Sequence, residues 1–190
     1  SGGAIVTNDT KFAKWVRLVS STAKTDSLRY IHSEPAFNAR MPALSASLGL
    51  IQVKRFQNIL EAKRKIFQSY REFFSTVKHT KVYTEPHESN LWKSNHWLIN
   101  LVFKEENLCH IALDACNRQN IQSRPLWTPI SEQPAYREVF AKLTRQGFKF
   151  DLPNSLRMHK LMLSIPSSIN ISNTEIKKVC EVIKDSIAGI

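Results

Sequence analysis

A chain of 190 residues, 42% hydrophobic and 23% charged, can bury one sizeable core, or one core and part of another, so wholesale disorder is excluded. Its three cysteines, Cys109, Cys116 and Cys180, are odd in number and lack CxxC spacing, which argues against a disulfide framework or zinc site and for a reducing, cytoplasmic compartment. The net charge of +11 admits nucleic acid as a partner, whereas no apolar run approaches the ~20 residues of a membrane helix.

The chain opens abruptly. Gly2-Gly3-Ala4-Ile5-Val6-Thr7-Asn8 reads as a small-residue turn running into a buried strand. Such a strand needs neighbours for its N–H and C=O groups, so the expectation is a piece of a longer protein that has lost part of its context. Asn8-Asp9 then caps a helix over 10–20, with Phe12, Trp15, Val16, Leu18 and Val19 on its apolar face. Residues 20–35 read as a surface loop anchored by Tyr30-Ile31.

Pro42 suits the first turn of a long helix reaching Phe74, with Leu44, Leu48, Ile51, Phe56, Leu60, Ile66 and Tyr70 on its buried side. The first turns of that helix (Ala43, Ser45, Ala46, Ser47, Gly49) are small-sided and suit close approach of another element or subunit. Short strands and helices then alternate. Strands are expected at 81–83, 97–103 and 121–124, and helices at 108–118, 136–143 and 156–162. The last helix leads into Leu163-Ser164-Ile165-Pro166, and Asn173 or Thr174 caps a final amphipathic helix. The pattern is a long connecting helix followed by a compact α+β unit.

Spacing alone announces little chemistry. There is no GxSxG, no HExxH and no glycine-rich phosphate loop. His110 and Asp114, four apart on a helix, lack a third ligand and read as a surface pair, so no metal is expected. The other histidines, His32, His79, His87, His96 and His159, are isolated. The basic residues between 54 and 81, including Lys63, Arg64 and Arg71, spread around their helix without an aromatic-rich RNA-binding signature. A solvated face is the better reading there, with no specific nucleic-acid partner.

Two segments carry more. Asn38 and Arg40 stand just ahead of a helix N-terminus, where backbone N–H groups, the helix dipole and a guanidinium together suit an anion such as phosphate. A turn residue and a surface charge would read the same way. In Arg124-Pro125-Leu126-Trp127-Thr128-Pro129, two prolines stiffen an extended segment that presents Arg124 and Trp127 to a polar ligand with one flat side. A core tryptophan beneath a proline-rich connection fits equally well.

In order, these pieces resemble the DegT/StrS family of pyridoxal-phosphate-dependent nucleotide-sugar aminotransferases. The resemblance rests on Gly2–Asn8, on Phe37-Asn38-Ala39-Arg40-Met41-Pro42-Ala43-Leu44 leading into Leu48-Gly49-Leu50-Ile51-Gln52, and on Arg124–Trp127 followed by Gln133-Pro134-Ala135-Tyr136. Leu163-Ser164-Ile165-Pro166-Ser167-Ser168 completes it. The tail is most similar to the branch that aminates sugars toward legionaminic-acid-like nonulosonates.

The resemblance implies the C-terminal portion of a fold-type-I, aspartate-aminotransferase-like α/β enzyme. Residues 1–41 would end the large cofactor domain, 42–77 would form the interdomain helix, and 78–190 a small α+β domain. The Schiff-base lysine precedes the opening strand in this family, so no catalytic residue is expected here and the chain alone should be inactive.

Asn38 aligns with an asparagine that reaches across a homodimer toward the partner's cofactor phosphate, with Arg40 supporting it. Arg124 and Trp127 fall where the family closes over its substrate. Many relatives carry a histidine at the position of Ser131, which puts that substrate contact in question. The implied reaction passes an amino group from an amino acid, usually glutamate, through pyridoxal phosphate to a nucleotide-linked keto sugar. Relatives with histidine in place of the lysine dehydrate sugars instead. That outcome stays open, as do a ligand-sensing relative and a nucleic-acid-binding module.

Overall fold

A computed structural model of the chain describes residues 2–84, 92–150 and 152–188, which fall into two units, Ser1–Gln57 and Asn58–Ile190. His87 lies outside the described residues.

In the first unit the Asp9 carboxylate accepts hydrogen bonds from the Lys11 and Phe12 amides (2.8 and 3.1 Å) and starts helix α1, Thr10–Val19. The segment before it is not the expected buried strand. Ile5 and Val6 are exposed, Val6 at 94%, because no described strand lies beside them to pair their backbone groups. The expected loop after α1 is a hairpin, β1 (Lys24–Asp26) against β2 (Ile31–His32). Its turn is built by Asp26, whose carboxylate accepts from the amides of Leu28 and Arg29, both at 2.9 Å. Tyr30 and Ile31 are exposed, so they anchor nothing; Ala23 is the buried residue here.

The expected long helix is interrupted. Helix α2, Ala43–Lys54, ends at Arg55, whose amide is shared between the carbonyls of Ile51 and Gln52, a tightening that closes a helix. Helix α3, Phe56–Phe74, starts afresh. Leu44, Leu48, Ile51 and Phe56, expected to be buried, are exposed, whereas Ile66, Phe67, Tyr70 and Phe74 enter the core of the second unit.

That core lies on one face of an antiparallel sheet of order β3-β4-β6-β5: Thr80–Val82, Ile99–Phe103, Met162–Ile165 and Arg124–Pro125. In β4, Ile99, Leu101 and Phe103 are buried and alternate with half-exposed Asn100 and Val102. Strand β6 was not anticipated, since the sequence read its residues only as the exit from a helix. The strand expected over 121–124 shrinks to β5, placed at the sheet edge where a proline can stand without breaking a ladder.

Helices α4 (Glu106–Arg118) and α7 (Asn173–Ile187) complete the core. Helices α5 (Arg137–Arg145) and α6 (Pro153–Leu161) lie where expected within a few residues. The cap of α7 is Ser172, one residue before the expected Asn173, and it forms a reciprocal capping box with Glu175. The fold is α+β, and no helix among the described residues is long and apolar enough to cross a membrane.

All three cysteines are buried, with Cys109 and Cys116 on one face of α4 as their spacing suggested. Burial pushes the Cys109 thiol up to about 11 and Cys180 to about 12, from an ordinary 9.0. The Cys116 thiol is raised too, by its burial. A raised folded-state value means that the stability these thiols contribute is whole below pH 9 and is lost as pH climbs toward about 12. Chemical denaturation across pH 8–12 should therefore show falling stability above pH 9, and iodoacetamide should label the cysteines only after denaturant is added.

Candidate functional site

Two separate places gather the chemistry. In the first unit, Phe37–Ala39 lies antiparallel to the chain leaving α1. The Thr22 amide donates to Phe37 O (3.0 Å), the Ala39 amide to Ser20 O (2.9 Å), and Asn38 sits opposite Ser21. Thr22 and Ala23 take left-handed backbone angles (φ 67° and 50°) that turn the chain into the hairpin. The result is a cup of ≈ 520 Å³ lined by Ser21, Thr22, Lys24, Thr25, Ser27, Asn38 and Arg40.

Two cations, four hydroxyls and a carboxamide, with no carboxylate among the described residues, form a donor set for an anion. Asn38 and Arg40 stand just ahead of the N-terminus of α2, as the sequence suggested, but the structure also joins them to the hairpin, and no residue of α2 lines the cup. Lys24, whose ammonium also stands 4.4 Å from the Tyr30 ring centre, was missed because the Ser/Thr/Lys-rich stretch read as loop.

In the second unit, the segment after β5 is tied at three points. The Leu126 amide donates to Met162 O (3.1 Å), His159 Nδ1 meets Leu126 O (2.8 Å), and Gln133 Nε2 donates to Thr128 O (3.3 Å). Trp127 is therefore presented rather than buried. It is 64% exposed, and its ring lies 5.7 Å from that of Trp97, tilted by 52°. Trp127 borders a cleft of ≈ 660 Å³ whose lining among the described residues (Tyr83, Asn100, Leu126, Trp127, Pro129, Ile130, Ser131, Phe140, Leu152, Asn154, Ser155, Met158 and Met162) carries no charged side chain. Arg124 pairs with Ser164 in β5, is exposed, and does not line this cleft.

A second cavity of ≈ 430 Å³ shares Tyr83 and Asn100 with the cleft and adds Arg64, Gln68 and Arg71 from α3, with Ser94 and His96 opposite. The His96 ring stacks on Phe67, with centres 4.1 Å apart. No role for His96 is expected from the sequence.

Lys63 departs from its expected place on a solvated helix face. Its ammonium donates to Trp97 O (3.0 Å), to the Ser167 carbonyl and to Ser167 Oγ (3.1 Å), and burial pulls its pKa down. His110 faces Glu106 at 3.8 Å rather than Asp114, and both are well exposed. Among the described residues, no three potential metal ligands cluster.

The sequence pattern of the DegT/DnrJ/EryC1/StrS aminotransferase family matches residues 1–184. The chain belongs to this family. It is 28% identical over 187 residues to the GDP-perosamine synthase of Vibrio cholerae, covering 97% of this chain and 48% of that protein. It is 26% identical over 183 residues to EpsN of Bacillus subtilis, described as a putative pyridoxal-phosphate-dependent aminotransferase, covering 96% and 45%.

Among solved structures, PseC of Helicobacter pylori, an aminotransferase of pseudoaminic acid biosynthesis, superposes with a TM-score of 0.81 at 16% identity, over 97% of this chain and 48% of that one. TlmJ of Streptoalloteichus hindustanus gives 0.80 at 16%, covering 96% and 46%. These likenesses establish the fold. The chain spans about half the length of the curated relatives it matches.

Replacing Lys63 with Met should strand the carbonyls of Trp97 and Ser167 beneath a side chain that cannot donate. The expected loss is about 1–3 kcal/mol of stability, read by chemical denaturation, with a shift in tryptophan emission as Trp97 is released.

Proposed function

We propose that this chain is the C-terminal half of a pyridoxal-phosphate-dependent aminotransferase that transfers an amino group, from glutamate or a similar amino acid, to a nucleotide-linked keto sugar. The observation that carries the reading is the cup of Lys24, Asn38 and Arg40, which stands on the family motif Phe37–Leu44 and whose donors suit a phosphate monoester. When bound, pyridoxal phosphate supplies the electron sink through which an amino group and a carbonyl exchange.

This chain's part is to hold and orient. Arg40 and Lys24 would neutralise the phosphate while Asn38 and the hydroxyls fix it. Trp127 and its cleft would pack against the substrate and keep water from it. The amino-acid lysine that carries the cofactor in this family would be supplied by the other half of the protein.

The cup is offered to a partner subunit. Helix α2, which follows Arg40 after two residues, is apolar on all sides and exposed, with Leu44 at 75%. A helix of that kind is built to be covered. A Cβ added at Gly49 meets nothing within 4 Å among the described residues, so any penalty for a larger side chain there would come from the surface that covers the helix.

Three outcomes test this. The 190-residue chain with pyridoxal phosphate, glutamate and a nucleotide-linked keto sugar should give no sustained amination; steady turnover would sink the division of labour. In the protein that also carries the lysine-bearing half, Asn38→Ala and Arg40→Ala should each weaken cofactor binding roughly tenfold to a hundredfold, the worth of about 1.5–3 kcal/mol for a charge-assisted hydrogen bond. Unchanged affinity in titrations of both variants would return them to a turn residue and a surface charge.

In the same protein, Gly49→Leu or Ala46→Leu should overpack the subunit contact by about 1–3 kcal/mol. Sedimentation and cofactor titration should then report a loss of dimer and of cofactor together. A dimer with normal cofactor binding would place the contact elsewhere.

A further inference from the structure

The sheet of the second unit gathers positive charge at one end of its outer face. In β3, Thr80 and Val82 turn into the core, which leaves Lys81 on the other face, directly opposite Val102 of β4. The Lys104 amide closes this end of the strand pair by donating to His79 O (2.9 Å), where His79 takes a left-handed backbone angle (φ 64°). Helix α6 packs beside β4 and leads into β6. It turns Asn154 and Ser155 to the Trp127 cleft but Arg157 and Leu161 to a groove of ≈ 470 Å³, with Met158 at both.

This groove has an apolar floor and a cationic rim. Val102, Met158 and Leu161 are half-buried and line it together with Lys81, Lys104 and Arg157, which are exposed. Three cations from three elements thus surround one patch of hydrocarbon. Among the described residues no carboxylate lines the groove, and none pairs with these cations. Glu106, close by in sequence, is drawn off by Lys160 (3.4 Å) and His110 (3.8 Å).

Like charges held together without a counter-charge repel one another, and a bound anion relieves that repulsion. A monoanion leaves most of the rim unmatched, whereas a dianion answers it. An inorganic ion alone has no use for the floor, and the volume lies within the roughly 300–1,000 Å³ of small-molecule sites.

We propose that the groove binds a phosphate monoester with a short apolar body, its phosphate held by Lys81, Lys104 and Arg157 and its body laid on Val102, Met158 and Leu161. Arg157 can meet two phosphate oxygens at once, while the lysines act as point charges. A phospholipid headgroup shares this chemistry, but its acyl chains stay in the bilayer and leave the floor uncovered, so the ligand is a free ester. The assignment depends neither on the reaction proposed above nor on the anion cup of the first unit.

Hexyl phosphate is the probe, titrated into the ¹⁵N-labelled 190-residue chain carrying Arg40→Ala to weaken the cup. The amide signals of Lys81, Val102, Lys104, Arg157 and Met158 should move. Inorganic phosphate, which lacks the body, and hexanol, which lacks the charge, should each bind about tenfold more weakly or worse. Lys104→Gln and Arg157→Gln, both at exposed positions, should each cost about threefold to tenfold in affinity for hexyl phosphate. Lys177→Gln/Lys178→Gln, which removes two exposed charges from α7, should leave that affinity unchanged.

Unmoved signals at the groove would overturn the proposal, as would inorganic phosphate binding as tightly as its hexyl ester. Equal losses in the α7 and groove variants would reduce the effect to net charge and overturn it too. So would binding to vesicles containing phosphatidic acid without binding of hexyl phosphate.

Discussion

The pairing of β4 with β6 is the constraint on which the second unit depends. Its register sets Ile99 opposite Ile165, Asn100 opposite Ser164 and Leu101 opposite Leu163. A slip of one residue would turn the leucines outward and drive Asn100 and Ser164 into the core. On the outer face those two are joined directly, Ser164 Oγ donating to Asn100 Oδ1 at 2.6 Å. The same register delivers the Trp97 carbonyl to Ser167 Oγ (3.0 Å) and the Leu126 amide to Met162 O, so Trp97 and the cleft's Trp127 are hung from one ladder.

Helix α3 locks that ladder with polar side chains that the core would otherwise reject. Lys63 and Tyr70 both reach carbonyls just past the end of β6, Lys63 to Ser167 and Tyr70 Oη to Pro166 at 2.9 Å. Desolvating an ammonium is unfavourable, which is why its pKa falls, but three acceptors offset most of that cost and fix the spot where Trp97 leaves the sheet. The opposite faces of α3 thus do different work. Ile66, Phe67, Tyr70 and Phe74 fill the core, while Arg64 and Arg71 remain outside at the cavity beside the cleft.

What the sequence disclosed follows from the range of each interaction. Caps and periodic helices are local, so α1, α4 and the final helix were placed to within a residue or two. Family motifs and proline stiffness single out Asn38, Arg40 and Trp127, and the structure puts the first two in the wall of the cup and the third at the cleft. The anion cup and the cleft themselves were not legible, since both are made by residues far apart in sequence or by a stretch of ordinary loop composition. Ser21, Thr22 and Lys24 join Asn38 only through a non-local backbone pairing. Strand β6 was hidden because Met162–Ile165 follows a helix without a turn residue, and only its central position between β4 and β5 explains its burial. Lys63 was misread for a simpler reason: charge on a helix predicts solvent unless its acceptors, here 34 and 104 residues away, are known.

The burial pattern of α2 connects the fold to the proposed function. A surface helix shows one apolar stripe, whereas Leu44, Leu48, Leu50, Ile51 and Val53 circle this one and all are exposed. Water is the wrong neighbour for every side of it, so one covering surface would not suffice. Arg40 precedes its first residue by three positions and Asn38 by five, too short a tether for the cup to stay apart from whatever buries the helix. On the proposed reading, covering α2 and presenting Asn38 and Arg40 to an anion are therefore one assembly event. In that event the apolar helix would supply the affinity between subunits, and the polar cup at its head the reason for them to meet in that orientation.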